Sequence, residues 1–266
     1  MGEGLIEHPT LVRLKSIVED KTVCFQSPGP SIGQLGDYLW DIPSDVVWIA
    51  QNIFLPVEAI LDPICRTLDF VFVSSDQAIR GYGDRYKEFL ERSHGLLLTT
   101  TGGVEKFKAA WPGLLEAHPD KVISFHFGDG LPHSDAFGVL NIGEHSPHVF
   151  SLIPMTLALL KANVRRIICF GLDGGRIPGN ANWYYGVFED YPHAWFHGMP
   201  GEYRPELEHL HAEWRYLLTR AGFNPDEDRI INCSPHSKIN CFPKIDYPDL
   251  AKLFEEGRIE CQEPSP

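Results

Sequence analysis

Thr22-Val23-Cys24-Phe25-Gln26-Ser27-Pro28-Gly29-Pro30-Ser31-Ile32-Gly33 opens as an apolar run and stops abruptly at a turn built from Pro and Gly. The run lacks the apolar/polar alternation of a strand with one wet face. A near-continuous apolar stretch of this length suits a strand covered on both faces, as in a parallel sheet. The turn that follows therefore sits at the carboxyl end of a buried strand, where open α/β sheets bind ligands.

Comparable runs recur at Val46–Ala50, Phe70–Ser74, Gly95–Thr100, Lys121–His126, Arg166–Gly171 and Arg229–Cys233. Between them, periodic segments predict helices over Leu11–Glu19, Asp84–Ser93, Val104–His118, Ser151–Ala162 and Arg204–Ala221. The last carries Leu207, Leu210, Trp214, Leu217, Leu218 and Ala221 on one stripe and meets Gly222, a residue suited to a helix C-terminus. The pattern predicts a doubly wound, mostly parallel, Rossmann-like α/β sheet. Gly174 to Gly201, rich in Gly, Pro, Asn and aromatic residues, interrupts it and reads as a loop-rich lid insertion over 174–201. No repeat, low-complexity tract or Ser/Gly linker divides the chain.

Composition narrows the function classes. At 266 residues, 43% hydrophobic and 22% charged, the chain can bury a substantial core, which excludes disordered and disulfide-stapled classes. A formal net charge of −13 opposes nucleic acid and anionic membrane surfaces as partners. No stretch approaches the roughly 18 apolar residues of a membrane span. The start, Met1-Gly2-Glu3-Gly4-Leu5-Ile6, has neither a secretory pattern nor the Ser or Thr that myristoylation needs at position 6. Six Cys with no C-x-x-C pair read as reduced thiols, and the setting as cytoplasmic.

Several stretches carry candidate chemistry. The turn Ser27 to Gly33 follows neither the Walker A nor the dinucleotide spacing, so it is either a phosphate-facing backbone loop or a plain turn. Ser151, after Glu144 to Phe150, starts a helix with Pro154 in its first turn, and can hold an anion or merely cap. Asp173 ends a strand beside Gly174 and Gly175, to bind a ligand or brace the loop. Trp183-Tyr184-Tyr185 and His193-Ala194-Trp195-Phe196-His197 bring phenols and imidazoles suited to proton transfer and leaving-group stabilisation. His126, Asp129, His133 and Asp135 offer metal-ligand types at short spacing without a zinc pattern.

Taken in order, these pieces resemble the bacterial sialyltransferases of glycosyltransferase family forty-two and the superfamily that also holds 6-hydroxymethylpterin diphosphokinases. Gly29-Pro30-Ser31 is similar to the family's first nucleotide loop. Gln51-Asn52 resembles its second, with the Asn-Gln pair reversed. Ser74-Ser75 lies where a nucleotide-contacting Asn is found. The run from Ser151 through Met155-Thr156-Leu157-Ala158-Leu159 to Gly171-Leu172-Asp173 is similar to its Ser-Gly, alanine-rich helix and Gly-Ile-Asp. His193 to His197 matches its His-x-x-x-His, and Asn232-Cys233-Ser234-Pro235-His236-Ser237 resembles its Pro-x-Ser element.

The resemblance implies one nucleotide-sugar-binding domain over residues 1–266. It implies an enzyme that transfers a sialic or other nonulosonic acid from a CMP-sugar to a glycan acceptor, inverting, with no cofactor required. His197 would be the general base, Tyr184 or Tyr185 would stabilise the leaving phosphate, and Ser151 would hold the sugar carboxylate. Gly29, Pro30, Ser31, Gln51, Asn52, Ser74, Ser75, Asp173, His193, Ser234 and Ser237 would bind substrate or nucleotide. The alternatives are an ATP-dependent diphosphokinase, with Mg²⁺ held by Asp76, Asp129 and Asp173, or a non-catalytic nucleotide-binding relative. Self-association stays open, since an aromatic lid could equally bury against a second copy.

Overall fold

The computed structural model describes residues 9–27, 29–52, 60–64, 66–126, 152–173, 207–220, 222–225, 227, 229–234, 237 and 239–255. Its strands are β1 (Thr22–Gln26), β2 (Val47–Gln51), β3 (Phe70–Val73), β4 (Leu96–Thr100), β5 (Val122–Phe125), β6 (Arg166–Phe170) and β7 (Ile230–Asn232). They form one sheet in the order β5-β4-β3-β2-β1-β6-β7, every neighbouring pair parallel. The chain winds outward from β1 to β5, then returns to lay β6 on the other side of β1. The seven sequence-derived runs coincide with these strands to within a residue or two at each end.

Alternate residues of the strands feed two separate cores, which is why the runs read as continuously apolar. Val23, Phe25, Val47, Ile49 and Ile167 pack with Leu14 and Val18 of α1 (Pro9–Val18), Met155 and Leu159 of α5 (Leu152–Lys161), and Trp214 and Leu217 of α6 (Leu207–Arg220). Cys24, Trp48, Ala50, Val71 and Phe170 face the other way. They pack against Leu35 and Leu39 of a 3-10 segment (Pro30–Asp41), Ile79 of α2 (Asp76–Gly81), Tyr86 and Phe89 of α3 (Gly83–Arg92), Phe107 of α4 (Thr101–Ala110), and Leu250 and Phe254 of α7 (Leu250–Glu255). Helices thus cover both faces of a parallel sheet. The described part of α5 is buried from Leu152 to Leu160, as expected of a helix apolar on every side. The Thr156 hydroxyl is satisfied there by the Leu152 carbonyl at 2.9 Å.

Two features depart from the sequence expectation. The helix expected over Val104–His118 ends at Ala110, because Pro112 disfavours helical geometry at Trp111 and Gly113 turns back at φ +83. Residues 30–41, expected as a turn only as far as Gly33, wind into a 3-10 segment in which Ile32, Leu35 and Tyr38 recur every third residue on the sheet side. By contrast, Gly222 takes φ +84 after α6, and Phe223 N–H closes on the Leu218 carbonyl at 2.9 Å, the expected helix termination. Residues 174–201, expected as the lid, lie outside the described residues. No helix among the described residues is long and apolar enough to cross a membrane.

Candidate functional site

In a sheet whose strands all run one way, every carboxyl end lies along one edge, and that edge collects most of the described candidates. Gly29 and Ser31 follow β1, Gln51 and Asn52 end β2, and Ser74 and Ser75 follow β3. Asp173 follows β6, and Ser234 and Ser237 follow β7. The chain direction parts between β1 and β6, the topological switch point at which open α/β sheets bind ligands.

At that point the side chains meet. Ser31 N–H donates to Asp173 Oδ2 at 2.9 Å, and the Ser31 and Ser234 hydroxyls are 2.8 Å apart. Ser237 Oγ donates to the Leu172 carbonyl at 2.6 Å, and Asn232 Nδ2 donates to the same carbonyl at 3.1 Å. Asn232 Oδ1 in turn accepts Ser234 N–H at 3.1 Å. Residues some 200 positions apart are therefore tied into one buried polar knot. Asp173 is only 3% exposed and its second oxygen, Oδ1, has no hydrogen-bond partner among the described residues.

Close backbone approach makes the knot possible. Gly29 N–H donates to the Gly171 carbonyl at 2.9 Å, and a Cβ on Gly29 would lie 2.1 Å from that oxygen and 2.4 Å from Asp173 Oδ2. Gly171 itself takes φ +66, and a Cβ there would lie 2.2 Å from the Ser27 carbonyl. Ile32 N–H donates to the Gly29 carbonyl at 3.1 Å, and Pro30 has no N–H to offer. The amides of Gly29, Ser31 and Ile32 are thus spent inside the protein, so between the two readings of this turn the phosphate cradle is disfavoured. The loop instead fixes the geometry of the switch point. Ser237 is likewise engaged within the protein, since its hydroxyl also accepts Ile239 N–H at 3.0 Å.

Tyr247 completes one wall. Its ring stacks on Tyr38 at 5.8 Å and on Phe170 at 6.0 Å between centroids. Its hydroxyl faces Ser31 and the Gly171 backbone; burial first, then the neighbouring Cys233 and Asp173, push its pKa well above the ordinary phenol range. It is a neutral hydroxyl at any physiological pH. Nothing in the sequence around Tyr247-Pro248 marks it as part of a site formed some 75 residues earlier.

Along the edge toward β2 and β3 the candidates are more structural. Asn52 takes φ +57, one of the few non-glycine residues to do so. Its N–H donates to the Phe72 carbonyl at 2.7 Å, and its own carbonyl accepts the Tyr86 hydroxyl. Its side-chain Oδ1 is buried without a partner among the described residues. Gln51 is half-buried beside it. Ser75 Oγ caps α2 by accepting Ala78 N–H at 3.4 Å, and the Ser74 carbonyl accepts Lys106 Nζ at 2.8 Å. His126, buried at the end of β5, shares a 3.0 Å hydrogen bond between Nδ1 and Thr101 Oγ1. Among the described residues no group of three His, Cys, Asp or Glu side chains could hold a metal. Asp76 lies 2.9 Å from Arg80 Nε.

Ser151, Tyr184, Tyr185, His193, His197, Asp129, His133 and Asp135 lie outside the described residues, as does the side chain of Pro30. Sequence reasoning missed Tyr247 and Gln26, and quoted Asn232 only as the start of the run that leads to Ser234 and Ser237. Gln26 had a signal, a lone amide closing an apolar strand, and it is 0% exposed with neither amide atom hydrogen-bonded among the described residues.

Neither a family model nor a curated protein matches the chain. A solved sialyltransferase shares this fold. It is the monofunctional alpha-2,3-sialyltransferase Cst-I of Campylobacter jejuni, matched with a TM-score of 0.51 over 93% of this chain and 85% of that chain, at 12% identity. At that identity the likeness concerns the path of the backbone. What this chain does must be argued from its own site.

Proposed function

We propose that this chain is a glycosyltransferase-like enzyme that moves a sialic or other nonulosonic acid from a CMP-linked donor to a glycan acceptor. The observation that carries the reading is the buried polar knot of Ser31, Asp173 and Ser234 at the switch point between β1 and β6, on a fold shared with a sialyltransferase. Such a crevice suits a nucleotide, whose hydroxyls and base offer many donors and acceptors to a site built from hydroxyls, amides and one carboxylate.

In this reading His197 takes the proton of the acceptor hydroxyl. The acceptor oxygen bonds to the anomeric carbon from the face opposite the nucleotide, so configuration inverts. The bond from that carbon to the CMP phosphate oxygen breaks, and its electron pair leaves with the phosphate. Tyr184 or Tyr185 donates a hydrogen bond to the oxygen on which that charge develops. Ser151 and the start of α5 hold the sugar carboxylate, and holding both substrates together supplies much of the rate.

The test is a turnover assay with CMP-N-acetylneuraminate and a panel of glycan acceptors, run beside calorimetry with CMP. His197→Ala abolishes turnover while CMP affinity stays within about threefold, because a general base acts on the acceptor rather than on the nucleotide. Retained turnover removes His197 from this role. Binding of ATP only with Mg²⁺, and not of CMP, replaces the reading with diphosphokinase chemistry.

A further inference from the structure

Gln26 closes the central strand β1 and sits in register with Ala50 of β2 and Phe170 of β6. Its neighbours on the covered face are thus a methyl group and an aromatic ring, neither of which can hydrogen-bond an amide in the plane. It is fully buried, and neither Nε2 nor Oε1 finds a partner among the described residues. A wholly unsatisfied primary amide is costly in a core, and Leu or Met would fill the same volume without that penalty. It lies at the switch point, directly before Ser27, on the sheet face where Cys24, Ala50 and Phe170 pack against the 3-10 segment whose first turn Ser31 ties to Asp173 and Ser234.

We propose that Gln26 is a ligand-contacting residue, its amide completed by the base edge of the bound nucleotide; this rests on the nucleotide-sugar reading above. An amide presents one donor and one acceptor side by side, the complement of the edge of a nucleobase. Rotating it by half a turn exchanges the two. Gln26 therefore pairs with cytosine and with uracil alike, strengthening binding of either without choosing between them. The 3-10 segment on that face is held at its start by Ser31, and a nucleotide hydroxyl that replaces the Ser31 to Ser234 contact frees it to admit the base to the amide.

The test uses the full chain, wild type and Gln26→Met, a near-isosteric change that removes the amide. Melting is measured without ligand, CMP and UMP are titrated by calorimetry, and ribose 5-phosphate, which lacks a base, is measured as a competitor of CMP. The expected result is a melting point equal to or above that of the wild type, with CMP and UMP both weakened about tenfold and ribose 5-phosphate unchanged. Undiminished CMP binding by Gln26→Met overturns the inference while leaving the nucleotide reading intact. Loss of ribose 5-phosphate and CMP in equal measure, with a lowered melting point, makes Gln26 structural and also overturns it. A wild-type chain that binds neither CMP nor UMP removes the reading and the inference together.

Discussion

Gly29 takes φ −70 and ψ 154, a conformation open to any amino acid, so its conformational freedom is not what the fold uses. Space is. A methyl group there would sit 2.1 Å from the Gly171 carbonyl and 2.4 Å from Asp173 Oδ2, both of which belong to the end of a central strand and cannot yield without moving it. Gly29→Ala should destabilise the chain by about 1–3 kcal/mol, the usual cost of overpacking, and break the Ser31 to Asp173 contact. Urea unfolding checks the first part and CMP calorimetry the second; an unchanged midpoint would show that the loop relaxes freely. Asp173→Ala acts differently. It leaves Ser31 N–H buried without its acceptor, at a cost of about 1–3 kcal/mol. The asymmetry between the two carboxylate oxygens, one accepting Ser31 N–H and one with no partner among the described residues, makes bracing the loop and binding a ligand compatible uses of the same residue.

At the scale of elements, what could be read from the sequence depended on whether the signal was local. The strands were legible because both faces of each are buried, so every residue from Val23 to Phe25 or from Val47 to Ala50 carries the same apolar message. The end of α6 at Gly222 was legible because a left-handed glycine is a local requirement. The 3-10 segment was not, since Pro30, Gly33 and Gly36 argue against a helix and only contact with the sheet, through Ile32 and Leu35, holds it. The start of α4 was missed because Thr100-Thr101-Gly102-Gly103 reads as a breaker, whereas Thr100 Oγ1 accepts Gly103 N–H at 3.0 Å and caps the helix. Thr100→Ala should therefore cost about 1 kcal/mol and lower the melting point by about 2–4 °C for a chain of this size. Calorimetric melting decides it, with Thr100→Ser, which keeps the capping hydroxyl, expected to recover most of the loss. No change in Thr100→Ala would mean that packing alone starts α4.

For the molecule as a whole, the site exists because the chain reverses its direction of winding after β5, which lays Asp173 beside Ser31 and brings Asn232, Ser234 and Tyr247 in from the carboxyl-terminal part. Gly29, Ser31, Asp173 and Ser234 could each be nominated from the sequence, but their convergence and the recruitment of Tyr247 are products of topology, which no local pattern encodes. The same closure buries the thiols. Cys24, Cys169 and Cys233 are fully buried and free, and burial pushes each of them well above the ordinary thiol range. Cys241, half-buried, is pushed up to about 12, again chiefly by burial. At pH 8 Cys241 is therefore overwhelmingly the unreactive thiol. Iodoacetamide at that pH should leave Cys24, Cys169, Cys233 and Cys241 unlabelled in the native chain and label all four in urea, as read by peptide mass spectrometry. The pH dependence has a definite sign. A thiol whose folded pKa is raised releases its proton first in the unfolded chain, so its contribution is whole below about pH 8.5 and is lost as pH climbs toward the folded values. The urea midpoint should fall between pH 8 and pH 10. Native labelling of Cys169 at a rate independent of urea would contradict the close packing of β6 between β1 and β7 on which the switch point depends.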